Sequence, residues 1–134
     1  MQKNEINCEL ANAGSEVLAK EAVRILLSKK AQNVKLFDVR NTSSVTDFYI
    51  NVTGLSTTHV ASLADDLADL MGQKGASCER IEGRRGNSWI LVDYLSVIVN
   101  VFDKQSREFY NLDRHFSEGS IVDIAELEAD VDNN

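Results

Sequence analysis

Two runs of β-branched and aromatic residues, three residues apart, constrain this chain more than any other feature. Trp89-Ile90-Leu91-Val92-Asp93 and Val97-Ile98-Val99-Asn100-Val101-Phe102 both have strand composition, and Tyr94-Leu95-Ser96 joins them. So short a connection reaches only an antiparallel neighbour, because a parallel return needs a dozen residues or more. Glu82-Gly83-Arg84-Arg85-Gly86, just upstream, has the composition of an exposed loop. Phe109-Tyr110-Asn111-Leu112-Asp113 follows as an aromatic and acidic segment. No nucleophile, metal cage or phosphate cradle stands out in this run. It reads as a surface built for contact.

Upstream, helix and strand alternate. Leu18, Ala22, Ile25 and Leu26 make an apolar stripe opposite Lys20, Arg24 and Lys29-Lys30, which predicts a helix from Ser15 to Ala31 with Ser15 as its N-cap. Val34 to Val39 reads as a strand. Asp47 to Thr53 reads as another, with Phe48, Ile50 and Val52 on one face and Tyr49, Asn51 and Thr53 on the other. Gly54 breaks that strand and Ser56 is placed to cap a second helix carrying Val60, Leu63, Ala64, Leu67, Leu70 and Met71, with Gly72 or Gly75 as its left-handed stop. Ser77 to Ile81 is a short strand before the hairpin, and a last helical turn falls in Ser106 to Phe109 or Leu112 to Phe116. The expected architecture is α/β, a single domain with a mixed five-stranded sheet and helices packed on it. The helix between the second and third strands allows those two to pair in parallel.

At 134 residues the chain buries about two-thirds of its unfolded surface as one domain. No apolar run approaches the roughly 20 residues of a membrane span, and residues 1–13 lack the apolar centre of a signal peptide. A cytoplasmic protein with reduced thiols is expected, Cys8 on a mobile end and Cys78 half-buried in a strand. Of 21 acids, six (Glu118, Asp123, Glu126, Glu128, Asp130 and Asp132) lie after Phe116, which leaves 15 acids against 14 bases in the rest. That balance argues against broad nucleic-acid binding, which needs a basic face. The organisation expected is a flexible segment 1–13, a folded domain 14–116 and an acidic tail 117–134. The tail reads as solvated chain, although Ile121, Ile124, Leu127 and Val131 have near-helical spacing.

Candidate chemistry is sparse. Gly54-Leu55-Ser56, at a strand-to-helix turn, offers backbone N–H groups to a phosphate, as nucleotidyltransferase sites do. Those sites also need carboxylates that converge on magnesium. Asp65-Asp66 and Asp69 lie on the following helix, where adjacent side chains diverge by about 100°. The turn therefore reads as a capped helix start. His59 in the first helical turn has no evident nucleophile beside it and is assigned to surface or partner contact; His115, beside Phe116, is assigned to packing. The histidines and cysteines share no metal-ligand spacing, and Arg84-Arg85 reads as a solvated loop. Neither a catalytic residue nor a cofactor or metal site is assigned.

Trp89, Leu91 and Asp93 share one strand face, and an aspartate there is expected to meet solvent. On that reading Trp89 and Leu91 form an exposed apolar patch beside acids, the anatomy of an interface; the alternative puts Trp89 in the core.

From Ser15 to Phe116 the residues resemble the bacterial ribosome silencing factors, or Iojap-like proteins. The resemblance rests on Leu36-Phe37-Asp38-Val39, Ser44-x-x-Asp47-Phe48, Thr53-Gly54-x-Ser56 with His59-Val60, and Glu82-Gly83. It continues through Trp89 to Tyr94, Val99-x-Val101-Phe102, and Arg107-x-Phe109-Tyr110-x-Leu112-Asp113. Asn100, Asp113 and Phe116 depart from the family's usual histidine, glutamate and tryptophan. The resemblance implies a nucleotidyltransferase-like fold without catalytic carboxylates. It also implies binding to the large ribosomal subunit through its protein L-fourteen, which blocks joining of the small subunit and lowers translation when nutrients are scarce. The contact residues it implies are Glu82, Trp89, Asp93, Tyr94, Tyr110, Leu112 and Asp113, and a homodimer fits the family's habit. A nucleotide-binding or nucleotidyltransferase-like enzyme using Gly54-Leu55-Ser56 is the alternative.

Overall fold

A computed structural model describes residues 9–116 and 120–132. Cys8 and Glu118 lie outside the described residues. The elements run α1 (Ser15–Ser28), β1 (Gln32–Asp38), β2 (Phe48–Gly54), α2 (Thr57–Gln73), β3 (Arg80–Glu82), β4 (Trp89–Asp93) and β5 (Val97–Asp103). After these come α3 (Lys104–Tyr110), a 3-10 turn (Leu112–His115), β6 (Ile121–Val122) and α4 (Ala125–Asp132).

The helices start and stop where local chemistry allows. Gly14 is the N-cap of α1 and makes no side-chain capping bond, so Ser15 is the first helical residue, not the cap. Lys30 takes a positive φ beyond the last turn, which ends α1 at Ser28 and frees the backbone for β1. In α2 the expected cap is present: Ser56 Oγ accepts the His59 N–H at 3.1 Å. Gly75, at φ 99°, supplies the left-handed turn beyond the helix.

The sheet has the order β3-β4-β5-β2-β1-β6, and β2 with β5 is its parallel pair. This corrects the expected pairing of β2 with the third strand. β3 has three residues, two of them exposed, and serves as an edge, whereas β5 is buried from Val97 to Phe102 and takes the centre. Cys78 is half-buried as expected but precedes β3, which begins at Arg80.

Among the described residues there are six strands rather than five, because β6 pairs antiparallel with β1 at Leu36 and Phe37. α4 then packs on α1 and buries Leu127 in the main core. The described part of the acidic segment is therefore folded, and its near-helical spacing marks a docked helix rather than solvated chain. Leu10, in the segment expected to be flexible, also joins the core, and its N–H donates to the Lys74 carbonyl.

Two layers result. α1 and α2 cover the sheet face formed by Ile50, Val52, Ile90, Val92, Val99 and Val101, with Val23, Leu26, Leu63 and Leu67 opposite. The other face is covered in part by α3, the 3-10 turn and Phe116, which stacks near Phe37 and Tyr49 with ring centroids 4.4 and 5.1 Å apart.

Candidate partner-binding site

The second face carries a continuous line of polar side chains. Asn51 of β2 and Asn100 of β5 stand opposite each other in the parallel register, and both are buried. Asn100 Nδ2 donates to Asn51 Oδ1 (3.1 Å), and Asn100 Oδ1 accepts the Trp89 indole N–H (3.0 Å). Asn51 Nδ2 donates to Asp113 Oδ1 (2.8 Å), whose Oδ2 accepts from Arg107 (2.9 Å). Arg107, 6% exposed, also donates to Thr53 Oγ1 (2.9 Å), and Lys35 Nζ lies 3.6 Å from Asp113. Burial pushes the Asp113 carboxyl upward, but the hydrogen bonds from Arg107 and Asn51 and the charges of Arg107 and Lys35 outweigh it and hold it below the usual carboxylate range. The line ties α3 and the 3-10 turn to the sheet and fixes the indole.

Aromatic rings close over this line. Trp89 is half-buried between Phe102 and Tyr110, with centroids 5.1 and 4.6 Å away. Phe109 meets Tyr110 edge-on at 5.0 Å and is 79% exposed, while Tyr110 is 46% exposed. Glu82, Gly83, Trp89 and Leu91 line a shallow cleft of about 260 Å³ beside them. Trp89 is thus neither core nor free patch. One side of it is anchored and the other lies beside an open cleft.

The seven expected contact residues divide. Trp89 and Tyr110 form this surface, Asp113 sits on the polar line, Glu82 lines the cleft, and half-buried Leu112 opens the 3-10 turn. Asp93 does not meet solvent: it is 7% exposed, because Oδ1 accepts the Leu95 N–H (2.7 Å) and Oδ2 faces Arg80 Nε (3.2 Å). It holds the hairpin turn, about 13 Å along the strand from Trp89. Tyr94 is also 7% exposed and belongs to the main core, where burial raises its phenol above the usual range. A strand face can be read from alternation, but what covers that face cannot. Asn51, Asn100 and Arg107 were not among the expected contact residues; the signal for the first two was an asparagine inside each of two otherwise apolar strands.

The Gly54 turn is sealed by its own residues. A Cβ at Gly54 would lie 2.8 Å from Val60 Cγ2, so glycine lets helix and strand approach closely. The Leu55 N–H donates to His59 Nδ1 (2.8 Å), and His59 Nε2 lies 3.0 Å from the Lys29 carbonyl. His59 therefore ties α2 to the end of α1, and its neutral tautomer with the proton on Nε2 satisfies both bonds. His115 is exposed on the 3-10 turn rather than packed; Phe116 does the packing. Asp65 pairs with Arg84, which docks the loop before β4 onto α2. Among the described residues, no group of three or more His, Cys, Asp or Glu side chains is placed to hold a metal ion, and no helix is long and apolar enough to cross a membrane.

Fold and site together define a mixed α/β domain that presents aromatic rings from one half-covered sheet face. The sequence model described as "Ribosomal silencing factor during starvation" matches residues 12–134, and the chain belongs to that family. A ribosomal silencing factor of Halalkalibacterium halodurans is 29% identical over 82% of this chain and 94% of its own length. The counterpart from Haemophilus influenzae is 35% identical over 63% and 83%. The chloroplastic Iojap protein of Zea mays is 30% identical over 80% of this chain and 45% of its own length. A crystal structure from Bacillus halodurans superposes with a TM-score of 0.70 at 30% identity, covering 82% of this chain and 99% of that one. One from Chromobacterium violaceum, at 24% identity, shares the fold with a TM-score of 0.75 over 86% and 98%.

Proposed function

We propose that this protein binds the large ribosomal subunit through ribosomal protein L-fourteen, blocks joining of the small subunit, and so lowers translation when nutrients are limiting. It acts by occupancy, without turnover, in the cytoplasm. Membership of the silencing-factor family supports the reading, and the observation that carries it is the aromatic surface of Phe109, Tyr110 and Trp89. Exposed rings held rigid at low entropic cost are the anatomy of an interface hot spot. The charges play a smaller part than their number implies. Glu82 and Asp93 pair with Arg80, and Asp113 pairs with Arg107 and Lys35, so these acids have internal partners before any ribosome arrives. Glu82, the exposed one, steers and orients, while the rings set residence time.

Phe109→Ala tests the surface with little risk to folding, because Phe109 is 79% exposed. Its affinity for isolated large subunits should fall by about 2 kcal/mol, roughly 30-fold. Trp89→Ala should weaken binding at least as much, with circular dichroism checking the fold. Wild-type affinity in both folded variants excludes this surface. Self-association as a homodimer is part of the proposal and is read by sedimentation equilibrium.

An enzyme built on the Gly54-Leu55-Ser56 turn has less support, because the Leu55 N–H is already bonded to His59. Calorimetry with ATP and magnesium tests it.

A further inference from the structure

A cavity of about 350 Å³ lies where the parallel strands β2 and β5 end, and it shares Thr53 and Arg107 with the polar line. Gln32, Asn33, Thr53, Gly54, Leu55, Lys104, Arg107 and Glu108 line it. Crevices beyond the carboxyl ends of parallel strands are where open α/β sheets place ligands. Three observations bear on what this one holds.

The first is charge. Lys104 and Glu108 stand on the rim and no described residue pairs with Lys104, while the Arg107 cation is already ion-paired with Asp113. Arg107 is buried, yet its described partners, Thr53 and Asp113, each take one bond from a guanidinium with five N–H groups. A buried guanidinium held in place with donors to spare is organised in advance for an anion. The second is the shape of the wall. β1 carries a register shift between Gln32 and Lys35, and Asn33 sits at φ 50° within it. Such a bulge re-aims side chains, and here Gln32 and Asn33 reach the cavity rim, with Gln32 Nε2 already donating to the Lys30 carbonyl (2.8 Å) and its Oε1 left to accept. The third is Leu55, 75% exposed at the cavity edge, a large apolar side chain with no packing role of its own.

We propose that this cavity binds a phosphorylated ligand of mononucleotide size, with the phosphate on Lys104 and the spare donors of Arg107, and the base between Leu55 and the Gln32 and Asn33 amides. The phosphate does not sit on the N-terminus of α2, whose turn is closed by Ser56 and His59. The assignment is one of binding without chemistry, and it does not depend on the ribosomal reading.

Calorimetry on the full chain with AMP, GMP and inorganic phosphate tests it. Saturable binding of at least one nucleotide is expected at a Kd of about 1 mM or below. Lys104→Ala and Leu55→Trp, both at exposed positions, should each weaken it about tenfold or more, while Ser56→Ala leaves it unchanged. Absence of saturable binding, or binding indifferent to Lys104→Ala, overturns the site. Equal affinity for inorganic phosphate and the nucleotides overturns the assignment of a base. Loss confined to Ser56→Ala returns the ligand to the helix turn and overturns the proposal.

Discussion

Asn51→Ala is the most informative perturbation of the polar line, because Asn51 is fully buried and bonds in both directions. Truncation leaves the Asn100 amide without its acceptor in a buried site, which costs about 1–3 kcal/mol. It also removes a hydrogen bond to the Asp113 carboxylate, a charge-assisted contact contributing about 1.5–3 kcal/mol. Asp113 keeps Arg107 and Lys35 and is itself half-buried, so the second loss falls at the low end of its range. The sum is about 3 kcal/mol. With a urea slope of about 2 kcal/mol/M, the midpoint should drop by roughly 1.5 M at unchanged slope. Asn100→Ala and the double variant complete a cycle whose coupling should reach about 1–2 kcal/mol. A loss below about 1 kcal/mol, or additive single variants, would show that the line is not a connected network.

Gly83→Ala should cost about 2 kcal/mol or more in urea denaturation, because Gly83 sits at φ 92° and a Cβ there would run into the Trp89 carbonyl oxygen; a midpoint within error of wild type refutes that geometry. His59→Ala should cost about 1–2 kcal/mol by thermal unfolding, through loss of the bonds to Leu55 and Lys29. The depressed Asp113 carboxyl gives a signed pH dependence: its contribution is complete above the unfolded value of about 3.9 and is lost as pH falls through the lower folded value. Stability measured from pH 6 to 2.5 should therefore decline more steeply in the wild type than in Asp113→Asn, and parallel curves would remove Asp113 from the acid transition.

Local features of this fold were legible; longer-range choices were not. The β4–β5 hairpin followed from a connection too short for any other pairing, and the start of α2 followed from Gly54 breaking β2 just before Ser56, a capping residue. The parallel partner of β2 depended on which strand could stand burial on both faces, and that favoured Val97 to Phe102 over the short polar Arg80 to Glu82. Near-helical spacing in the acidic segment was visible, but its docking depends on a groove that exists only once α1 is folded. The site shows the same division. Trp89 and Tyr110 stood out as large aromatics in a half-polar context and do meet in space. Asp93 looked solvent-facing because a carboxylate defaults to water, and its partners Leu95 and Arg80 appear only when the turn closes. Asn100, Asp113 and Phe116, the three departures noted in the sequence, all lie on this face. Asn100 and Asp113 join one hydrogen-bonded line and Phe116 packs beside it, an arrangement no single position could reveal.

Purified large and small subunits, mixed with and without this protein and resolved on a sucrose gradient, show whether it keeps the subunits apart. The joined-ribosome peak should be lost, with the protein migrating on the large subunit and Phe109→Ala restoring joining. An undiminished joined peak, with the protein remaining at the top of the gradient, would contradict the proposed function.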